Sequence, residues 1–229
     1  MSVDPTGWMP GVQQVRTEAY SYPAMAPDEM YPQVVINHVA SGYYTTLRQM
    51  MAAPNPGKSW HFSVSRQGDI TQHVSIWDAA YHAGDVNAPT TDWMTRLGFT
   101  NPNYFSVGIE QEGFSIPAPG VDYVYDATHP WPEPMVLAVI RIHEWIWSRA
   151  QWLQDAPDKA RRVTTHSEYN TATRPHDPGN LWIATVKPRI VAALAPTPTP
   201  PVPDAEYQRG WEAHSDAVLA AFEAIKEPW

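Results

Sequence analysis

The sequence predicts an α/β fold, a central mixed β-sheet flanked by helices, with a C-terminal helical tail. Three observations carry that expectation. Short apolar or alternating runs are interleaved with stretches of helical period, and the longest helical stretch is entered through prolines. A Pro/Thr run late in the chain then separates a body from a short tail. The 229 residues suffice for one domain with a real core, and 43% hydrophobic against 17% charged residues is the balance of a globular chain.

Taken in order, "QVVINHVA" (33–40) reads as a buried strand. "YYTTLRQMMAA" (43–53) reads as a helix that "PNPG" (54–57) stops. "HFSVSRQGDITQHV" (61–74) is a hairpin, two alternating runs about a Gly-containing turn, and "YFSVGIEQEG" (104–113) is a further strand. "PMVLAVIRIHEWIWSRAQWLQ" (134–154) is a long helix with Val139, Ile142, Ile146 and Leu153 on its inner side. "RVTT" before His166 reads as a short strand end. The division is 1–194 for the body, 195–203 ("APTPTPPVP") for an extended spacer, and 204–229 for an amphipathic helical tail. The tail sets Tyr207, Trp211, Val218, Phe222 and Ile225 on one face and carries six acids against Arg209 and Lys226. Anionic lipid repels that charge, so membrane insertion is not expected. The tail helix is expected to dock on the body or pair with another copy, with a small wall- or partner-binding module as the alternative.

Composition excludes several classes. With no cysteine there are no disulfides, no thiol catalysis and no Cys-based zinc site, so any metal must be held by His and carboxylates. A formal net charge of −9 without Lys/Arg runs argues against nucleic acid as a partner. No apolar stretch approaches the roughly 20 residues of a membrane span. The start "MSVDPTGWMPGVQQ" lacks the pattern of a signal peptide, so the chain is expected either to stay inside or to be released by other means. The 24 prolines imply stiffened loops, and the 11 tryptophans either fill core or form surfaces for sugars and peptides.

The chemistry concentrates in "THSEYNTATRPHDPGNLW" (165–182), where His166 and Asp177 lie eleven residues apart with Arg174 and His176 just before the Asp. His38 ends an apolar strand and is expected at the sheet's edge. Alternation puts Val107 and Ile109 on one face of their strand, with Gly108 and Glu110 on the other, where Gly108 leaves room for a close approach. Glu110 is therefore a candidate general base. His38, His166 and Asp177 form a three-ligand set with no fourth in evidence, the open arrangement that a catalytic Zn²⁺ takes. Spacing alone leaves the alternative of satisfied structural histidines open, and His73, His129, His143 and His214 are read that way.

The blocks "VVINHVA", "WHFSVSRQGDITQHV", "AYHAG", "SVGIEQEG", "THSEYN" and "DPG", in that order, resemble the zinc-dependent N-acetylmuramoyl-L-alanine amidases. This is the branch shared by phage lysins, bacterial amidases and peptidoglycan-recognition proteins, and the resemblance runs from about residue 30 to 183. It implies a mixed sheet flanked by helices, zinc held by His38, His166 and Asp177, and hydrolysis of the bond between the muramoyl lactyl group and L-alanine in bacterial peptidoglycan. Glu110 matches the acid that handles protons. Trp60 stands where some members have a catalytic Tyr, and Pro175 where the family's Lys usually lies, so Arg174 or His176 takes over the stabilising charge. Trp60, His61 and His82 are expected to line the substrate groove, with the loop 114–134 as its wall. A phage endolysin, made in the host cytoplasm and acting at the cell wall after release, fits the spacer and tail. The alternatives are a zinc-containing recognition domain that binds without cutting and a zinc peptidase acting within the stem peptide.

Overall fold

Pairing register among the strands places the chemistry. The strands are β1 (Gln13–Gln14), β2 (Ser21–Pro23), β3 (Val34–Val39), β4 (Phe62–Val64), β5 (Ile70–Gln72), β6 (Asp78–Ala80), β7 (Ser106–Gln111) and β8 (Val163–Thr165). The helices are α1 (Tyr44–Ala52), α2 (Glu133–Arg149), α3 (Gln151–Gln154), α4 (Lys159–Arg162), α5 (His166–Tyr169), α6 (Asn180–Thr185) and α7 (Lys187–Ala193). These come from a computed structural model that describes residues 7–17, 21–23, 32–54, 56–84, 101–117, 124–125, 129–154, 156 and 158–195. Six strands form one sheet in the order β1-β5-β4-β7-β3-β8, and β2 pairs with β6 separately. Within the large sheet only β4–β5 is antiparallel; β1–β5, β4–β7, β7–β3 and β3–β8 are parallel, so the sheet is mixed as expected.

The β4–β5 hairpin turns through Ser65–Asp69, with Gly68 at φ 88°. A three-residue hairpin loop needs one residue in that left-handed region, and glycine enters it without a Cβ penalty. A single alternation then divides the sheet into two faces. Val35, Val107, Ile109, Phe62 and Val64 join one hydrophobic cluster with α2 and α7. Ile142 and Ile146 of α2 are fully buried there, each stabilising the fold by about 1.5–3 kcal/mol. On the other face α1 packs Leu47 and Met51 against Trp60.

Two expectations are corrected. The helix foreseen over 134–154 is interrupted at Ala150 (φ −108°, ψ 91°), where the chain leaves α2. Gln154 Nε2 donates to the Trp147 carbonyl at 2.8 Å, satisfying one of the acceptors that the break leaves over. His38 is not at an edge either: β3 lies between β7 and β8, and His38 sits near the C-terminal end of an inner strand.

The chain divides into two units, Met1–Leu194 and Ala195–Trp229. Beyond Ala195, the spacer and the tail helix expected over 204–229 lie outside the described residues, as does His214. Among the described residues no helix is long and apolar enough to cross a membrane.

Candidate metal centre and active site

In open sheets with parallel strands, ligands gather beyond the carboxyl ends of the strands, where loops can supply side chains. The register here pairs His38 of β3 with Glu110 of β7, on the face away from α2. β8 delivers His166 one residue beyond its end, at the start of α5. That helical turn is fixed by a capping box, Thr165 accepting from the Glu168 amide and Glu168 accepting in return. The irregular segment after it folds back on itself: Asn170 O accepts from Arg174 N at 3.0 Å, and Arg174 O from Asp177 N at 3.2 Å. Ser167 N donates to Asp177 O at 2.8 Å and Ser167 Oγ to Pro178 O at 2.7 Å, so the loop is tied to the helix that carries His166.

The outcome is a tight group. His166 Nδ1 lies 3.2 Å from His38 Nδ1, and Asp177 Oδ2 lies 3.0 Å from the first and 3.4 Å from the second. Asp177 Oδ1 accepts from the Val39 amide at 2.8 Å, which aims the other oxygen at the two rings. Burial works against a charged imidazole at His38, but the Asp177 and Glu110 carboxylates outweigh it and its pKa is raised. His166, with burial as the largest cause, is shifted down. Asp177 is half-buried, which works against its charged form, yet the two rings hold its carboxyl well below the usual carboxylate range.

Glu110 completes the group. Its Oε2 is buried with no hydrogen-bond partner among the described residues. Burial raises its pKa to about 7, and His38, Lys58 and Arg174 pull against that rise. An orphaned buried carboxylate oxygen in a native fold calls for a reason, and catalysis is a common one. The site opens into a cleft of about 290 Å³ lined by Glu110, Lys58, Ser115, Arg174, His176 and Asp177 among others.

Residues 28–180 match the family described as N-acetylmuramoyl-L-alanine amidase. The chain belongs to that family. It is an amidase enzyme, and its fold matches solved amidase structures. An AmpD derivative superposes with a TM-score of 0.57 at 20% identity, over 83% of this chain and 99% of that one. AmiD from E. coli, solved with an anhydro-N-acetylmuramic acid peptide as its substrate, superposes with a TM-score of 0.51 at 22% identity, over 80% of this chain and 64% of its own. The amidase LysC from Clostridium intestinale gives 0.50 at 14% identity, over 81% and 98%. No curated protein sequence matches the chain.

Within this amidase, the expected site residues divide. His38, His166, Asp177 and Glu110 converge, and Arg174 and His176 reach the cleft as exposed residues. Trp60 and His61 do not line it. Trp60 is buried, its Nε1 donating to Ser63 Oγ at 2.7 Å. His61 is buried between the Asp78 carbonyl (2.8 Å) and the Gly108 amide (2.9 Å). Alternation alone does not say what neighbouring elements will cover: Trp60 packs against Leu47 and Met51 of α1, and His61 lies against the Asp78 carbonyl and the His82 ring. His82 is turned inward as well: its Nδ1 lies 3.0 Å from His38 Nε2 and its Nε2 3.2 Å from Ser106 Oγ. The room beside Gly108 is filled by that ring, because a Cβ at Gly108 would fall 2.4 Å from His82 Cγ. Of the loop 114–134, Ser115 and Ile116 reach the cleft, while 118–123 and 126–128 lie outside the described residues. Sequence reasoning missed Lys58, which lines the cleft, and Gln111. Gln111 Nε2 donates to the His38 carbonyl at 3.1 Å while its Oε1 accepts from Trp182 Nε1 at 3.0 Å, which holds the strand end that carries His38.

Proposed function

We propose that this amidase is zinc-dependent and hydrolyses the bond between N-acetylmuramic acid and L-alanine in bacterial peptidoglycan. The observation that carries this reading is the convergence of two imidazole Nδ1 atoms and one carboxylate oxygen beside Glu110, whose buried Oε2 has no hydrogen-bond partner among the described residues. The group fits the ion. Bonds of about 2.0–2.1 Å in a tetrahedral zinc site set ligand atoms roughly 3.3 Å apart, and here the three separations are 3.0, 3.2 and 3.4 Å. His38, His166 and Asp177 would hold the metal. When bound there, zinc supplies water of lowered pKa (about 7) and polarises a carbonyl oxygen.

The remaining work falls to the chain's own groups. Glu110 Oε2 accepts the proton of the attacking water and returns it to the departing alanine amine. Arg174 supplies positive charge at the cleft, where the family's Lys is replaced by Pro175, and its charge acts on Glu110, His38 and His166. His176 lies on the same rim and is the second candidate for that task. A lysin released to act at the wall is the setting that accommodates a Pro/Thr spacer and an acidic tail.

Mass spectrometry of purified peptidoglycan digested with the protein, with and without a chelator, tests this. Chelator-sensitive release of intact stem peptides with a free L-alanine amine is the expected result. Cleavage inside the stem peptide, cleavage untouched by chelation, or no new ends at all would overturn it.

A further inference from the structure

We propose that His82 and Ser106 set the ring tautomer of His38, keeping its Nδ1 bare for the metal. This rests on the zinc reading above and adds two positioning residues to it. A chain of hydrogen bonds leads to His38, and its directions are set from one end. The Pro102 carbonyl can only accept, and Ser106 Oγ donates to it at 2.6 Å. With its one hydroxyl proton committed there, Ser106 Oγ accepts from His82 Nε2 at 3.2 Å. A neutral imidazole carries one N–H, so His82 Nδ1 is left bare. His82 has no carboxylate among its partners in the described residues to hold a second proton. His82 Nδ1 therefore accepts from His38 Nε2 at 3.0 Å. His38 then carries its proton on Nε2 and presents Nδ1, unprotonated, to His166 and Asp177.

The surroundings hold this chain in register. Asn103 Oδ1 accepts from the backbone amides of both His82 (2.9 Å) and Ala83 (2.8 Å), and Asn103 sits in a helical turn capped by Asn101. The Tyr169 hydroxyl donates to the Ala83 carbonyl at 3.3 Å, while the Tyr169 ring stacks on His166 with centroids 4.9 Å apart. His82 directly, and Ala83 through Tyr169, thus back the two imidazoles of the site. Partners that hold a ligand's second nitrogen fix its tautomer and orientation, and losing one costs about 10–100-fold in metal affinity.

The test measures zinc affinity of the full chain by competition with a chromogenic chelator, with thermal melts and two-bond ¹H–¹⁵N spectra of the imidazoles in the zinc-loaded protein. Parent binding is measured first. A parent that binds no zinc overturns the zinc reading, and this inference with it. Given a parent that binds, His82→Phe keeps a ring but loses the acceptor, and should weaken zinc binding about 10–100-fold. His82→Asn, whose Oδ1 replaces the acceptor, should recover most of that loss, and Ser106→Ala should fall between. The spectra should place the protons of His38 and His82 on Nε2. A folded His82→Phe with parental zinc affinity, or a proton on Nδ1 of His82, overturns this inference alone. Should His82→Phe fail to fold, the parent's spectrum and the other two variants still decide it.

Discussion

Two sets of histidines are buried in this molecule to the same degree and behave differently. His61, His73 and His143 are all fully buried, and each donates from one ring nitrogen to a backbone carbonyl: Asp78, Val15 and Val139, at 2.8, 2.7 and 2.8 Å. The other nitrogen accepts in each case, from the Gly108 amide, Ser63 Oγ and Asn37 Nδ2. One bond given and one received leaves a neutral ring with nothing to spare, and burial lowers all three pKa values to about 4. His38 and His166 instead turn their Nδ1 atoms towards each other and share one carboxylate oxygen. With both ring protons on Nε2, the two bare Nδ1 atoms and the carboxylate oxygen face one another with no hydrogen between them, and a cation satisfies all three. Burial therefore does not mark a functional histidine; an unsatisfied lone pair facing its own kind does.

Predictions that probe this contrast run from the largest effect downwards. Asp177→Asn removes the charge that separates the two sets and should abolish both zinc retention after dialysis and amide cleavage; a variant that keeps both would erase the distinction. Glu110→Gln should leave zinc content unchanged and lower kcat by about 10²–10⁴-fold, the usual worth of a proton-transfer group. Steady-state kinetics with metal analysis of the same samples would show it. Arg174→Ala should cost about 10²–10³ in kcat, with His176→Ala costing less, if Arg174 stabilises the developing oxyanion. Equal and negligible effects of the two would move that task to Lys58.

The core set makes the converse prediction. His61→Leu strands the buried Gly108 amide and should cost about 1–3 kcal/mol of stability near pH 7.5 while catalysis per folded molecule is retained. Its pH dependence has a definite sign. His61 titrates near 4 when folded and near 6.5 when unfolded, so between those values the unfolded chain binds the extra proton. The parent therefore loses about 1.4 kcal/mol per pH unit from this residue as pH falls from 6.5 to 4, and the variant does not. Denaturant titrations on chelated protein should show the two stabilities converging as pH falls. Parallel curves would mean that His61 is not held neutral.

How much of this was legible in the residues depends on the kind of question. Alternation along 104–113 separates Ile109 from Glu110, and turn formers around Gly68 and in "PNPG" place the hairpin and the end of α1, because backbone preference and side-chain period are local. The long helix over 134–154 was legible as far as Arg149; at its break at Ala150 the Trp147 carbonyl accepts from Gln154 Nε2, a contact that helical period does not foretell. Trp60 and His61 were misplaced for a related reason. They are buried by elements distant in sequence, α1 over Trp60 and the Asp78 carbonyl and His82 ring around His61. His82 stood out in "AYHAG", yet only its partners distinguish a groove wall from a support behind a ligand.

The sequence by itself determined the element order, the face each strand residue takes and a donor set limited to nitrogen and oxygen by the lack of cysteine, since all of these follow from period, propensity and composition. Only the tertiary structure decided that Asp177, 139 residues from His38, sets one carboxylate oxygen against both His38 and His166, and that Glu110 Oε2 is buried with no hydrogen-bond partner among the described residues. Those outcomes depend on strand register and on donors and acceptors that close across the sheet, and a single-residue change of register would turn His38 or Glu110 to the opposite face.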